Sequence, residues 1–155
     1  MKKILNDLEK ARDVAINYLK FSDRTYKEVY TKLIDRQFNE EIAETVATEL
    51  QEGGYINELN LAKNFILQKS KYANLGKRRI IYELAKKGVS KQNIAAAYNA
   101  LLADDEINEL DSAREALYKK TKGDPNWANE PKYKKKIYDF LLRRGFDYDI
   151  IRRLH

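Results

Sequence analysis

The segment GKRRIIYELAKKGV, from Gly76 to Val89, decides the fold, because two other segments of the chain repeat its layout. The first is TYKEVYTKLIDRQF, from Thr25 to Phe38, and the third is YKKKIYDFLLRRGF, from Tyr133 to Phe146. The three align without gaps, 51 residues apart (25 to 76) and then 57 residues apart (76 to 133). Such internal similarity is typical of repeat proteins, in which each repeat is one small supersecondary unit.

Each segment carries one apolar stripe at helical spacing. The equivalent sets are Val29, Tyr30, Leu33 and Ile34; Ile80, Ile81, Leu84 and Ala85; and Ile137, Tyr138, Leu141 and Leu142. Their spacing of i, i+1, i+4 and i+5 places each set on one face of an α-helix. Each segment is therefore predicted to be an amphipathic helix with one buried face.

The ends of these helices also match. Gln37, Gly88 and Gly145 occupy the position where a helix commonly ends in a left-handed residue, which glycine tolerates best. Gln37 should therefore cost some stability. Residues of the type that begins a helix follow at Asn39, Ser90 and Asp147. A capping box is predicted from Thr25 to Glu28.

Further helical patterns lie before and after each segment, so each unit is predicted to hold three helices. The units are placed at residues 1–57, 58–108 and 109–155, and the fold class is all-α. One such unit buries too little surface alone, so the three tandem repeats should stack into an elongated, curved array. Nothing in the sequence demands a dimer, and we expect a monomer.

The composition excludes most catalytic chemistry. The chain has no cysteine, and its single histidine is the last residue, His155. No histidine-based acid–base pair or thiolate metal site can form within one chain, so we predict no enzyme, no metal and no cofactor. The carboxylates from Asp104 to Glu109 are interpreted as a solvated linker. No apolar run reaches about 18 residues, which excludes a membrane span and is compatible with a cytoplasmic protein.

The positive charge is confined to the second half of the chain. Residues 1–75 hold 12 basic and 12 acidic residues, whereas residues 76–155 hold 18 basic and 12 acidic residues, which accounts for the whole net charge of +6. An excess on one half suggests a basic face that contacts an acidic partner.

Two pairs of basic clusters are the candidate binding residues. They are Lys77, Arg78 and Arg79 with Lys86 and Lys87 in the second unit, and Lys134, Lys135 and Lys136 with Arg143 and Arg144 in the third. Cations at the end of a helix are locally stabilising, but cations at its start oppose the helix dipole. The two clusters that open the helices therefore suggest an anionic partner, bound through phosphates or acidic side chains.

These residues carry a family resemblance from about Ala15 to Leu154. The run Gly76–Ile80 with Glu83-Leu84 and Lys87-Gly88-Val89, the passage Gly53–Glu58, and Phe140–Phe146 resemble the RecX family. The resemblance implies an all-helical regulator that binds RecA and its filament on single-stranded DNA, with possible weak direct DNA binding. There it would suppress strand exchange and ATP hydrolysis during DNA recombination, repair and the SOS response.

Two other functions stay open from the sequence. A helix-turn-helix DNA-binding protein would need Arg, Asn or Gln displayed on its recognition helix, yet the segment from Asn39 to Glu52 is acidic. A helical scaffold that binds only protein would show no affinity for DNA. The salt dependence of DNA binding separates these alternatives.

Overall fold

The computed structural model describes the backbone of residues 2–155 and the side chains of residues 7–155. Within these residues the chain is all-helical and forms three units of three helices. Unit one holds α1 (Lys2–Phe21), α2 (Tyr26–Asp35) and α3 (Glu40–Glu52); unit two holds α4 (Glu58–Leu67), α5 (Lys77–Lys87) and α6 (Lys91–Ala103); and unit three holds α7 (Glu109–Thr121), α8 (Pro131–Arg143) and α9 (Tyr148–Arg152). A π-helical turn (Gln68–Tyr72) extends α4. None of these helices is long and apolar enough to cross a membrane.

The predicted helix starts are confirmed. The Thr25 hydroxyl accepts the backbone N–H of Glu28, and the Glu28 carboxylate accepts the N–H of Thr25, so the capping box is complete. Side-chain oxygens of Asn39, Ser90 and Asp147 each accept the N–H three residues later. These caps satisfy amide groups that have no partner within the helix itself.

The predicted left-handed helix ends are confirmed as well. The φ angles are 72° at Gln37, 103° at Gly88 and 100° at Gly145. Glycine adopts this conformation without steric cost, whereas the Cβ of a side chain meets the following carbonyl. Gln37 is the equivalent position in unit one, and it carries that cost.

We therefore expect Gln37→Gly to raise the free energy of unfolding by about 0.5–1 kcal/mol, which is the left-handed penalty reduced by the greater chain entropy of glycine. Urea denaturation followed by circular dichroism measures the change. Gln51→Gly, in the last turn of α3, is the matched control and should destabilise the protein. A Gln37→Gly variant that is no more stable than the original would contradict this account.

Each unit has its own hydrophobic core. Val29 and Leu33 of α2, Ile80 and Leu84 of α5, and Ile137 and Leu141 of α8 are buried in the cores of units one, two and three. These residues come from the apolar stripes of the aligned segments, so the middle helix of each unit contributes the same buried positions. We keep 1–57, 58–108 and 109–155 as the proposed division of the chain.

Unit one joins unit two where the start of α2 meets the end of α5. The Thr25 hydroxyl donates to the Lys87 carbonyl at 2.5 Å, and the Tyr26 N–H donates to the Glu58 carboxylate at 3.0 Å. A Cβ at Gly88 would lie 2.7 Å from the Cβ of Lys27, so these two segments of the chain are in close contact.

Units two and three are joined in the same way. The Gly76 N–H donates to the Arg144 carbonyl at 2.8 Å, and the Lys77 N–H donates to the Glu109 carboxylate at 2.7 Å. In the alignment Gly76 is equivalent to Thr25 and Arg144 to Lys87; Glu58 and Glu109, which lie outside the aligned segments, are the first residues of α4 and α7. Burial raises the pKa of Glu109, and the hydrogen bond from Lys77 opposes that rise.

The two joints place the middle helices in one row. The start of α2 rests on the end of α5, and the start of α5 rests on the end of α8. In each joint the positive end of one helix dipole faces the negative end of the next, which is a favourable arrangement. Equivalent solvent-facing positions of α5 and α8 are therefore presented along one row.

Helix α8 differs from the sequence-based expectation in where it begins. Lys134 to Lys136 were expected to open the helix, but it starts at Pro131, with Glu130 as its cap. The Glu130 carboxylate accepts the N–H groups of Lys132 and Tyr133, and proline is well suited to the first helical position. The three lysines thus lie beyond the first turn, where the dipole has little effect, so the dipole argument for a partner at this cluster was wrong.

Candidate partner-binding surface

Arg78, one of the predicted binding residues, reaches into the joint between units two and three. Its guanidinium donates to the Leu142 carbonyl at 3.1 Å and to the Phe146 carbonyl at 3.5 Å. Leu142 lies in the last turn of α8 and Phe146 lies three residues beyond its end, so the guanidinium binds both this helix and the turn that follows it. Arg78 therefore has a structural role that its position in the sequence did not show.

Arg144 lies in the same joint, and its side chain binds the segment that precedes α5. Its Nε donates to the Asn74 carbonyl at 3.1 Å, and a terminal nitrogen donates to the Ala73 carbonyl. Burial lowers the pKa of Arg144, and the positive charge of Arg79 lowers it further. Arg78 and Arg144 together tie the end of α8 to the start of α5.

Arg79 and Lys86 instead face solvent on α5. Both are exposed, and they stand seven residues apart, so they lie two turns apart on one helix face. Arg79 forms an ion pair with Glu83, at 3.5 Å between Nε and Oε1, on the same exposed surface. Such a surface pair contributes little to stability, so the guanidinium is accessible to a partner.

Lys136 and Arg143 occupy the equivalent positions on α8. Both are exposed and again lie seven residues apart, and they line a shallow cavity of about 340 Å³ with Tyr133 and Asp139. The turn that follows α8 contacts the start of α5, because a Cβ at Gly145 would lie 2.5 Å from the Cβ of Arg79. We define the basic face as Arg79, Lys86, Lys136 and Arg143.

The basic face stops at the border of unit one. The positions of α2 that are equivalent to Arg79 and Lys86 hold Glu28 and Asp35. The face therefore covers the middle helices of units two and three, which are the part of the chain that carries the net positive charge.

Three of the other predicted basic residues each contact an aromatic ring or a carboxylate. The Lys77 ammonium lies 4.9 Å from the ring centre of Tyr98, and that of Lys134 lies 5.6 Å from the ring centre of Tyr138. Lys87 forms an ion pair with Glu28 across the first joint, at 3.7 Å. Lys135 is exposed, on the solvent side of α8.

Lys27 was not among the predicted residues, yet it contributes to a second basic region. Its ammonium donates to the Lys86 carbonyl at 3.5 Å, which parallels the contact of Arg78 with Leu142 in the other joint. A groove of about 390 Å³ at the first joint is lined by four lysines, Lys27, Lys32, Lys86 and Lys87, and by two carboxylates, Glu28 and Asp35. The alignment of Lys27 with Arg78 was the signal that would have identified it.

Trp127, in the loop between α7 and α8, is buried in the core of unit three. Its ring centre lies 5.0 Å from that of His155 and 6.3 Å from that of Tyr138. The indole therefore anchors this loop and the end of the chain against α8.

Three family models match the chain, one for each unit. They describe the first three-helix domain of RecX at residues 11–50, the second at residues 57–97 and the third at residues 107–154. The matches therefore cover most of the chain and follow one another in the order of the RecX domains.

Curated relatives extend these matches over nearly the whole length. The chain is 34% identical to the regulatory protein RecX of Finegoldia magna, over 93% of this chain and 69% of that protein. It is 33% identical to the regulatory protein RecX of Chlorobium phaeobacteroides, over 94% of this chain and 91% of that one.

Solved structures share the fold. The crystal structure of RecX from Lactobacillus salivarius matches 97% of this chain and 95% of its own, with a TM-score of 0.76 and 26% identity. A second crystal structure, of regulatory protein RecX, matches with a TM-score of 0.81 at 19% identity and supports the fold alone. From the three domain models, the relatives that match over more than nine tenths of this chain and the shared arrangement of helices, we conclude that this chain belongs to the RecX family of regulatory proteins.

Proposed function

We propose that this protein binds the RecA recombinase on single-stranded DNA and restrains its strand exchange and ATP hydrolysis, acting as a cytoplasmic monomer. The main support for this proposal is that all three units match the domains of RecX, in the same order. The relatives are named regulatory proteins, and the protein is proposed to act by binding, without catalysis. Its effect would be to limit recombination during DNA repair.

The basic face is the surface proposed to dock on the filament. Its four cations are solvent-exposed, and only Arg79 has an ion-pair partner among the described side chains. A RecA filament on DNA offers phosphates and acidic side chains, and both accept hydrogen bonds from arginine and lysine. A surface with an excess of exposed positive charge also speeds the encounter with an anionic partner.

The joints between the units support this use of the face. Arg78 and Arg144 hold the end of α8 against the start of α5, so Arg143 and Arg79 are presented from one rigid surface. A preformed surface loses less conformational entropy on binding than one that must first be ordered. The cations of the joint thus position those of the basic face.

The exposed face of α3 disfavours the helix-turn-helix alternative. In unit one α3 would be the recognition helix, and Glu40, Glu41 and Glu44 are exposed on it. Carboxylates are repelled by DNA phosphates, so this helix is poorly suited to the major groove.

Binding to RecA filaments tests the proposal directly. Single-stranded DNA is immobilised, RecA is assembled on it with a non-hydrolysable ATP analogue, and association of this protein is followed by interferometry. We expect saturable binding that is tighter with RecA present and weakens as salt rises. Equal binding with and without RecA would support a simple DNA-binding protein, and no binding to either surface would reject both functions.

A further inference from the structure

Tyr82 is an exposed aromatic residue for which the fold provides no packing role. It lies on α5, its side chain is 66% exposed, and it belongs to none of the three cores. Among the side chains of residues 7–155, its hydroxyl has no hydrogen-bond partner. Its ring therefore stands on the solvent side of the helix with its faces accessible.

Two other exposed tyrosines do have structural roles. A Cβ at Gly123 would lie 2.9 Å from the ring of Tyr118, and a Cβ at Gly53 would lie 3.2 Å from the ring of Tyr55. These two rings cover the turns that follow α7 and α3. Tyr82 covers no such turn, although it is as exposed as Tyr118, at 66% against 64%.

The surroundings of Tyr82 are cationic. Arg79 lies three residues before it and Lys86 four residues after it, so both lie on the same face, about 4.5 and 6 Å away along the helix axis. The equivalent positions on α2 and α8 are Thr31 and Asp139. The basic face therefore carries one exposed aromatic ring, with a cation on each side of it.

We propose that Tyr82 is a stacking platform for an unpaired base of single-stranded DNA, with Arg79 and Lys86 contacting the phosphates on either side. This inference rests on the proposed function, because the filament is built on single-stranded DNA. Tyrosine and arginine are common in protein–protein interfaces too, but lysine is depleted there, and Lys86 lies beside Tyr82. Exposed aromatic rings among basic residues are the usual arrangement for binding single strands.

An abasic strand separates stacking from attraction to phosphate. The affinities of the full-length protein for labelled oligothymidine and for an abasic oligonucleotide of the same length are measured by fluorescence anisotropy over a range of salt concentrations. The original protein should bind oligothymidine more tightly. Tyr82→Ala should weaken that binding about tenfold, leaving the affinity for the abasic strand and the salt slope unchanged.

Two further variants control the experiment. Tyr82→Trp should retain the preference for bases, and Tyr118→Ala, which removes an equally exposed ring elsewhere, should leave it unchanged; circular dichroism verifies that each variant is folded. The proposal is overturned if the original protein binds both strands equally, or if Tyr82→Ala weakens both equally or neither. It is also overturned if Tyr82→Ala lowers affinity only for RecA filaments, because the ring would then contact protein.

Inhibition of RecA ATP hydrolysis is measured separately on the same samples. Inhibition without a preference for bases would overturn the role of Tyr82 and leave the proposed function standing. A preference for bases without inhibition would support the stacking platform and reject the proposed function.

Discussion

Gly76→Ala should lower the free energy of unfolding by about 3 kcal/mol, which is at the upper end of the cost of overpacking. A Cβ at this position would lie 2.2 Å from the backbone carbon of Gly145 and 2.3 Å from the backbone nitrogen of Phe146. These atoms belong to the main chain and cannot rotate away as a side chain would. The joint between units two and three must therefore open.

Denaturant and thermal unfolding measure this effect. Because the substitution acts on one joint, we expect unit three to unfold apart from the rest, and a single transition to become two. Gly54→Ala is the matched control, since Gly54 has a φ of 81° but no atom within 4 Å of an added Cβ. The control should cost only about 1–2 kcal/mol, from the left-handed backbone alone. Equal effects of both substitutions would show that the close contact at Gly76 is not a determinant of stability.

Thr25→Val should have the second largest effect, about 2–4 kcal/mol of destabilisation. The Thr25 hydroxyl is completely buried, accepts the Glu28 N–H at 3.0 Å and donates to the Lys87 carbonyl at 2.5 Å. Valine preserves the shape but leaves both groups unpaired, and one of them belongs to another unit. The substitution thus removes a helix cap and loosens the first joint at once.

Thr25→Ser is the control, because serine keeps the hydroxyl and removes only a methyl group. Its cost should be about 1 kcal/mol, the value of one buried methyl. Chemical denaturation of the three proteins gives the comparison. A serine variant as unstable as the valine variant would show that packing at Thr25, and not its hydrogen bonds, holds the joint.

The helices could be predicted from the sequence because the forces that define them are local. The cap at Thr25 depends on a residue three positions away, and the end of α5 depends on the conformation of one glycine, Gly88. The start of α8 was misplaced by three residues because Pro131 extends this helix beyond the aligned segment. Local signals thus predict the helices, and the predicted start of a helix is wrong where the repeats differ.

The joints could not be predicted in the same way. Thr25 and Lys87 are 62 residues apart, and Arg78 and Leu142 are 64 residues apart. No local pattern relates such residues, and an arginine that binds backbone carbonyls looks the same in the sequence as one that does not. The predicted cluster of Lys77, Arg78 and Arg79 therefore mixes a residue of the joint with one of the basic face.

The order of the repeats nevertheless held part of this information. Glu58 and Glu109 occupy the same place in successive units, and both accept a backbone N–H from the unit before them. A residue type that recurs at equivalent positions of a repeat is a candidate for the contact between repeats. Lys27 and Arg78 are likewise equivalent and both bind at a joint, but Arg79 and Lys136 are equivalent and face solvent, so recurrence names candidates without separating the two roles.

The claim that the basic face restrains RecA is tested most directly by the rate of ATP hydrolysis by RecA on single-stranded DNA. Three proteins are titrated in substoichiometric amounts: the original chain, a variant with Arg79, Lys86, Lys136 and Arg143 changed to alanine, and a control with Lys10, Lys20, Lys91 and Arg153 changed to alanine. The control loses the same charge from other exposed positions. We expect the original and the control to inhibit hydrolysis, and the basic-face variant to require at least about tenfold more protein, equivalent to about 1.4 kcal/mol of binding free energy. Equal inhibition by all three proteins would contradict the role of the basic face, and no inhibition by the original chain would contradict the proposed function itself.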